Sequence, residues 1–264
     1  MNRAQANMPS SPLGRKINSY MSLTSEERTF LADLERNVTR HASRSDLLQQ
    51  GERYGCVRVM RKGWAIRHKA LPDGRRQVVN FVLPGDIIGF YCNLFETADH
   101  GVTTLTPAEI ANFQPERIIE LFTLFPRLAA ALAWSGAKEE AIIAERLLSV
   151  GRRTALERTA HLIVELLRRL SIVGLVEEGR FTLPVTQEIL ADALGLSIVH
   201  INRTLRRLRD IGLIDLAGQQ ITVHDVKQLA SVGQFDELYL HLIQAPKQLE
   251  HALDAKPDRK RAGD

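Results

Sequence analysis

Cysteine is scarce in this chain: Cys56 and Cys92 are the only two in 264 residues. Four-cysteine ligation of zinc or of an iron–sulfur cluster within one chain is therefore excluded by arithmetic. Long apolar runs are also missing, and none approaches the ~20 residues of a bilayer span. The N-terminus, "MNRAQANMPSSPLGRKINSY", has no apolar stretch followed by a small-residue cleavage site. The expected location is therefore the cytoplasm, with no membrane partner, and a stabilising disulfide is not expected in that reducing compartment. No GxxxxGK[ST], HExxH or GxSxG occurs, and His and acidic residues do not gather at metal-ligand spacing, so neither an enzyme nor a metal site is expected. One absence is local. Residues 198 to 209 hold four arginines and no acid.

What is present reads as a globular chain, 44% hydrophobic and 25% charged. A net charge of +4 is compatible with a polyanionic partner without requiring one. Residues 1–20, rich in Ser, Pro and Asn, read as a flexible N-terminus. From about Asp46 to Phe113, "CVRVMRKGWAIRHKAL", "PDGRR", "QVVNFVL" and "PGD" alternate short strands with Pro/Gly turns, which places a β-domain at 21–115. Leu121, Phe125, Leu128 and Leu132 then follow at helical spacing, and Ile142 and Ile143 resume it. The heptad-like rhythm predicts a dimerisation helix over 116–150, with a helix packed into the chain's own core as the alternative. Gly151 reads as a break, with a second helical domain over 151–228 and a C-terminal helix and charged, mobile tail over 229–264.

Within that second domain, "VTQEILADALGLSIVHINRTLRRL" (185–208) predicts two short helices. Thr186 is an N-cap for the first, Gly195 supplies the tight turn, and Ser197 caps the second. Leu190, Leu194, Leu196, Ile201, Leu205 and Leu208 can share one core, leaving an outward arginine face. "FTLP" before the pair and "GLIDLAGQQITVHD" after it read as strands, which makes a winged helix-turn-helix and points to double-stranded DNA as the partner. A second reading stays open, in which the chain is a small-molecule-binding regulatory module acting through protein partners and the arginines are a solvated face. Duplex affinity that falls steeply with salt separates the two.

With "LPDGRRQVVNFVLPGDIIGF", "RTALERTAHLIVELL" and "TQEILADALGLSIVHINRTLRRLRDIGLI" in this order, the chain resembles the Crp/Fnr family of bacterial transcription regulators from about residue 40 to 230. The resemblance implies an α+β fold: an N-terminal cupin-like β-roll sensor, a long dimerisation helix and a C-terminal winged helix-turn-helix. It implies a homodimer on a two-fold symmetric site, with RNA polymerase as a further partner. The family's base-reading positions fall on Ile198, Val199 and Arg203, of which the arginine alone is retained. Arg203 can pair with guanine O6 and N7. His200 and Asn202 are further base candidates, and Val199 can touch a thymine methyl. Thr186, Gln187 and Ser197 at helix N-termini, with Arg206, Arg207 and Arg209, are the backbone candidates.

The resemblance places the sensor pocket around Gly89, Phe90, Tyr91, Cys92 and His100. Family members that bind cyclic nucleotides carry a Glu after the glycine matching Gly89, and later an Arg-Ser pair. Here Phe90 holds the Glu position, and His100 and Gly101 hold the pair. Cyclic AMP is therefore disfavoured, because a buried phosphate without a cation is costly. The four-cysteine iron–sulfur sensing of another branch is excluded. Haem is disfavoured: it would need axial ligands such as His68, His100 or Cys92, and a lone His beside Arg and Lys, as His68 is, is more often a surface residue. Cys92 reads as a buried small residue or a redox switch. Phe90, Tyr91 and Phe95 predict an apolar pocket, and no cofactor is predicted.

Overall fold

The computed structural model describes residues 11–91 and 94–254. Two helices come first, α1 (Pro12–Tyr20) and α2 (Ser25–Leu34). Ser11 Oγ accepts from Gly14 N at 3.0 Å and Pro12 occupies the first turn, while Thr24 and Glu27 close a reciprocal capping box on α2. This corrects the flexible N-terminus expected over 1–20: residues 12–20 are helical, and Leu13 and Ile17 are buried. Leu13, Ile17 and Tyr20 make one helical stripe at spacings of four and three, which the Ser/Pro-rich surroundings obscured.

Eight strands follow: β1 (Val38–His41), β2 (Asp46–Leu48), β3 (Val57–Lys62), β4 (Ala65–Ala70), β5 (Arg76–Val82), β6 (Ile87–Ile88), β7 (Gly101–Thr104) and β8 (Ala108–Phe113). They form two antiparallel sheets, ordered β1-β8-β3-β6 and β2-β7-β4-β5. Met60, Ala65, Val82, Ile88, Val102 and Ile110 fill the space between them, as period-two alternation requires. The expected turns are present, with Leu71 N bonded to Arg75 O at 2.8 Å between β4 and β5. Gly85, at φ +91, closes the next turn, where a Cβ would lie 2.9 Å from Pro12 O.

Helices α3 (Glu116–Leu124) and α4 (Pro126–Arg152) come next, separated at Phe125 because Pro126 cannot continue the preceding turn. The predicted dimer stripe is corrected here. Leu121 lies on α3 and Phe125 on the break. Leu121, Leu128 and Leu132 are buried against α1 and α2 in the same protomer. Ile142 is buried too, while Ile143 is 38% exposed. Full burial of such a side chain contributes roughly 1.5–3 kcal/mol, so this face is committed to the chain's own core. The face left to solvent carries Ile143, Leu147 and Leu148. Gly151 is no break, since α4 runs through it to Arg152.

The second domain comprises α5 (Ala155–Ile172), β9 (Arg180–Thr182), α6 (Gln187–Leu194), α7 (Ile198–Asp210), β10 (Ile214–Ala217), β11 (Gln220–Val223) and α8 (Val226–Val232). The three strands pair antiparallel in the order β10-β11-β9, so both expected wing segments are strands. Beyond them a 3₁₀ turn (Glu237–Leu240) and α9 (Lys247–Asp254) run back onto α1 and α4, with Ala245 N bonded to Tyr20 O at 2.8 Å. Within the C-terminal helix and mobile tail expected over 229–264, residues 247–254 are helical. Among the described residues no helix is long and apolar enough to cross a membrane.

Candidate nucleic-acid interface

The helix pair is built from caps. Thr186 Oγ1 accepts from Ile189 N at 3.2 Å, and Ser197 Oγ accepts from His200 N at 3.3 Å. Between them Gly195 sits in the left-handed region, at φ +61 and ψ 42, a conformation that any side chain would strain. Leu190, Leu194, Ile201, Leu205 and Leu208 are buried in one cluster with α5, and Leu196 packs partly against it. Thr204, on the inner face of α7, meets Thr159 of α5 at 3.2 Å between the hydroxyl oxygens.

The outer face of α7 is bare. Ile198, Val199, His200, Asn202, Arg203, Arg206, Arg207 and Arg209 are all exposed, as are Thr186, Gln187 and Ser197. Val199 is 75% exposed, a poor place for an isopropyl group unless something covers it. Among the described residues, no carboxylate lies within ion-pair distance of any of the four arginines. His200 is oriented: Ser197 Oγ lies 3.1 Å from its Nδ1 while accepting from its backbone N–H. Every predicted DNA-contact residue is thus exposed.

Three residues that hold this surface in place were missed by sequence reasoning. Arg158 Nη1 donates to Leu194 O at 2.9 Å, capping α6 from α5. Arg76 of β5 grips Asp192 of α6 through Nε at 3.0 Å and Nη2 at 2.7 Å, docking the first helix of the pair on the roll. Arg169 of α5 reaches into the roll, to Asn80 Oδ1 at 2.9 Å, Phe81 O at 2.7 Å and Asp86 Oδ2 at 2.9 Å. Glu165, one turn earlier, accepts from Arg146 of α4 at 3.0 Å and from the Tyr239 hydroxyl at 3.1 Å. Despite complete burial, which raises it, the Glu165 carboxyl is held below its ordinary range by Arg146 and Arg169. For each arginine the signal is a single charged residue with a distant partner, and local pattern cannot find such pairs.

A cavity of about 650 Å³ lies between the roll and α4, lined in part by Gly89, Phe90, Tyr91 and His100. Cys92 lies outside the described residues. The apolar pocket expected from the aromatics is corrected, because one wall is charged. Arg67 pairs with Glu139 of α4 at 2.9 Å. Lys69 and His100 Nδ1 both bond Asp99, at 2.9 and 2.7 Å. Hydrogen bonds from Lys69 and His100 hold the Asp99 carboxyl near 2, while burial and then Arg67 lower the His100 ring. His68, another residue weighed as a haem ligand, turns instead to Thr103 Oγ1 at 3.0 Å.

A β-roll with an internal cavity, joined by a long helix to a winged helix-turn-helix with a bare basic face, is the build of a DNA-binding regulator with a sensor domain. Two family models match in the same order, a cyclic nucleotide-binding domain over residues 39–123 and a Crp-like helix-turn-helix domain over 157–232. The chain is 29% identical to the transcriptional activator protein FnrL of Cereibacter sphaeroides, over 69% of this chain and 75% of that one. It is 26% identical to the activator FnrA of Stutzerimonas stutzeri, over 78% and 84%. The structure of FixK2 from Bradyrhizobium japonicum shares the fold, with a TM-score of 0.68 at 24% identity, over 74% of this chain and 96% of that one. The chain belongs to the Crp/Fnr family of bacterial transcription regulators and carries its helix-turn-helix DNA-binding domain.

Proposed function

We propose that the protein acts as a homodimer on a two-fold symmetric duplex site, reads that site through α7, and no longer responds to cyclic AMP. The observation that carries this reading is the outer face of α7, with its four exposed arginines, no carboxylate paired to them among the described residues and an exposed Val199. Arg203 is the principal base contact, with His200, Asn202 and Val199 beside it. Thr186, Gln187, Ser197, Arg206 and Arg207 take the phosphates, where positive charge and helix N-termini suffice. Dimerisation uses the solvent face of α4, where Ile143, Leu147 and Leu148 are 38%, 75% and 49% exposed in the protomer. Two such α7 helices must then meet major grooves ~34–36 Å apart. As the curated relatives are named activators, RNA polymerase is the further partner in this reading.

For the sensor, the charged wall supports the loss of cyclic AMP binding. The two cations on it, Arg67 and Lys69, are already paired with Glu139 and Asp99. A phosphate would have to displace a carboxylate to gain either. The test is a selection from random duplex DNA by purified protein at moderate salt, without added ligand, and again with cyclic AMP. An enriched symmetric motif, unchanged by the nucleotide, is expected. No enrichment by folded dimer would overturn the DNA reading, and enrichment only with cyclic AMP would overturn the sensor reading.

A further inference from the structure

Where α1, the roll, α4 and α5 meet there is a second, much smaller cavity, of about 20 Å³. A single water needs ~10–15 Å³, so the space admits a body of water or halide size. Its polar lining is dominated by one kind of group. Lys16 comes from α1, Lys138 from α4 and Arg169 from α5, and all three side chains are donors only. Two carboxylates also line it, and both are engaged. Asp86 Oδ1 accepts from Lys16 at 2.8 Å, and its Oδ2 accepts from Leu83 N at 2.8 Å and from Arg169 at 2.9 Å. Glu139 is held by Arg67. The rest of the wall is apolar, including Leu83 and Ile142.

Lys138 is the group left over. It is 3% exposed, and its ammonium lies 5.2 Å from the Trp134 ring centre. Among the described residues, no hydrogen bond reaches that ammonium and no carboxylate stands within ion-pair distance of it. A sphere that only accepts would meet three donors and offset their charge.

We propose that this cavity binds one monoatomic anion of chloride size, held by Lys138 together with Lys16 and Arg169. The anion joins the N-terminal helix and α4 to the arginine that ties the DNA-binding domain to the roll. The charged groups facing Lys138 are Lys16 from α1, Asp86 from the turn after β5, Glu139 from its own helix, and Arg169 and Glu165 from α5. Without an anion, burial and then Lys16 and Arg169 bring the Lys138 ammonium down to about 7; a bound anion restores its charge.

The site stands apart from the DNA reading, and either can fail alone. Bromide replaces chloride and scatters anomalously, so crystals of the full chain grown in sodium bromide locate it. A peak within hydrogen-bond reach of Lys138 Nζ, lost in Lys138→Met, is the expected result. An absent peak in the wild type overturns the proposal, and that map decides even if the variant fails to fold. In solution, chloride replacing gluconate at constant ionic strength and pH 7.5 should raise the thermal midpoint saturably in the wild type and leave Lys138→Met unmoved. An equal rise in both proteins would assign the stabilisation elsewhere and overturn it.

Discussion

The arginines of this chain divide into two populations. On α7, Arg203, Arg206, Arg207 and Arg209 stand exposed, with no carboxylate partner among the described residues. At the junction of the domains, Arg169 and Arg146 are each 6% exposed in their side chains, Arg169 bonded to Asp86 and to the Phe81 carbonyl oxygen and Arg146 to Glu165. The first set holds charge in reserve for something outside the molecule. The second has its charge satisfied inside, where an unpaired ion would be intolerable. Burial and partnering, rather than residue type, separate a recognition surface from a structural clamp.

The comparison breaks most visibly at the clamp. Arg169→Met would leave Asp86 and Glu165 buried with fewer donors, and breaking such a pair costs roughly 3–5 kcal/mol. Urea denaturation should show that loss, and Arg169→Met combined with Asp86→Asn should recover part of it. No recovery would mean that Arg169 acts through packing rather than charge.

A second, somewhat smaller effect comes from His161, buried beside Phe235 and Tyr239. Burial, against the opposing pull of Glu165, lowers this ring to about 4. The unfolded chain then binds the proton more readily between about 6.5 and 4, so stability falls as pH drops through that window. About 2.5 pH units correspond to ~3 kcal/mol. Asp86, held near 2 by Lys16 and Arg169 against its burial, loses its contribution only at lower pH. The denaturation midpoint of wild type should therefore fall relative to that of His161→Leu as pH drops from 6.5 to 4. Parallel curves would mean the ring is already charged in the folded state.

The two populations were unequally legible. The caps and turn of the helix pair, Thr186, Gly195 and Ser197, are signals three residues or fewer in reach, and periodicity placed the arginines outward. The strand turns at "PDGRR" and "PGD" were readable for the same reason. The stripe Leu121, Leu128, Leu132 was also visible, but spacing says that a face is buried and not what buries it. Its cover comes from α1 and α2, whose Thr24–Glu27 capping box was present in the sequence and was passed over. The clamp was illegible on other grounds. Arg169 and Asp86 are 83 residues apart, and Arg76 and Asp192 are 116 apart. Nothing local marks either pair.

The reserve population supplies the smaller effects, and they should differ in kind. Arg203→Ala should lose the ~1–3 kcal/mol by which one bidentate contact favours its guanine. Measured by competition, the selected site and a variant changed at that base should then bind almost alike. Arg207→Ala removes a phosphate contact instead. It should weaken every duplex by a similar factor, and the slope of log affinity against log salt should become shallower by about 0.9. If Arg207→Ala altered base preference while leaving the salt slope unchanged, the roles of the two arginines on α7 would have to be exchanged. If neither variant changed affinity or preference, α7 would be a solvated face after all, and the unpaired charge on it would need another partner.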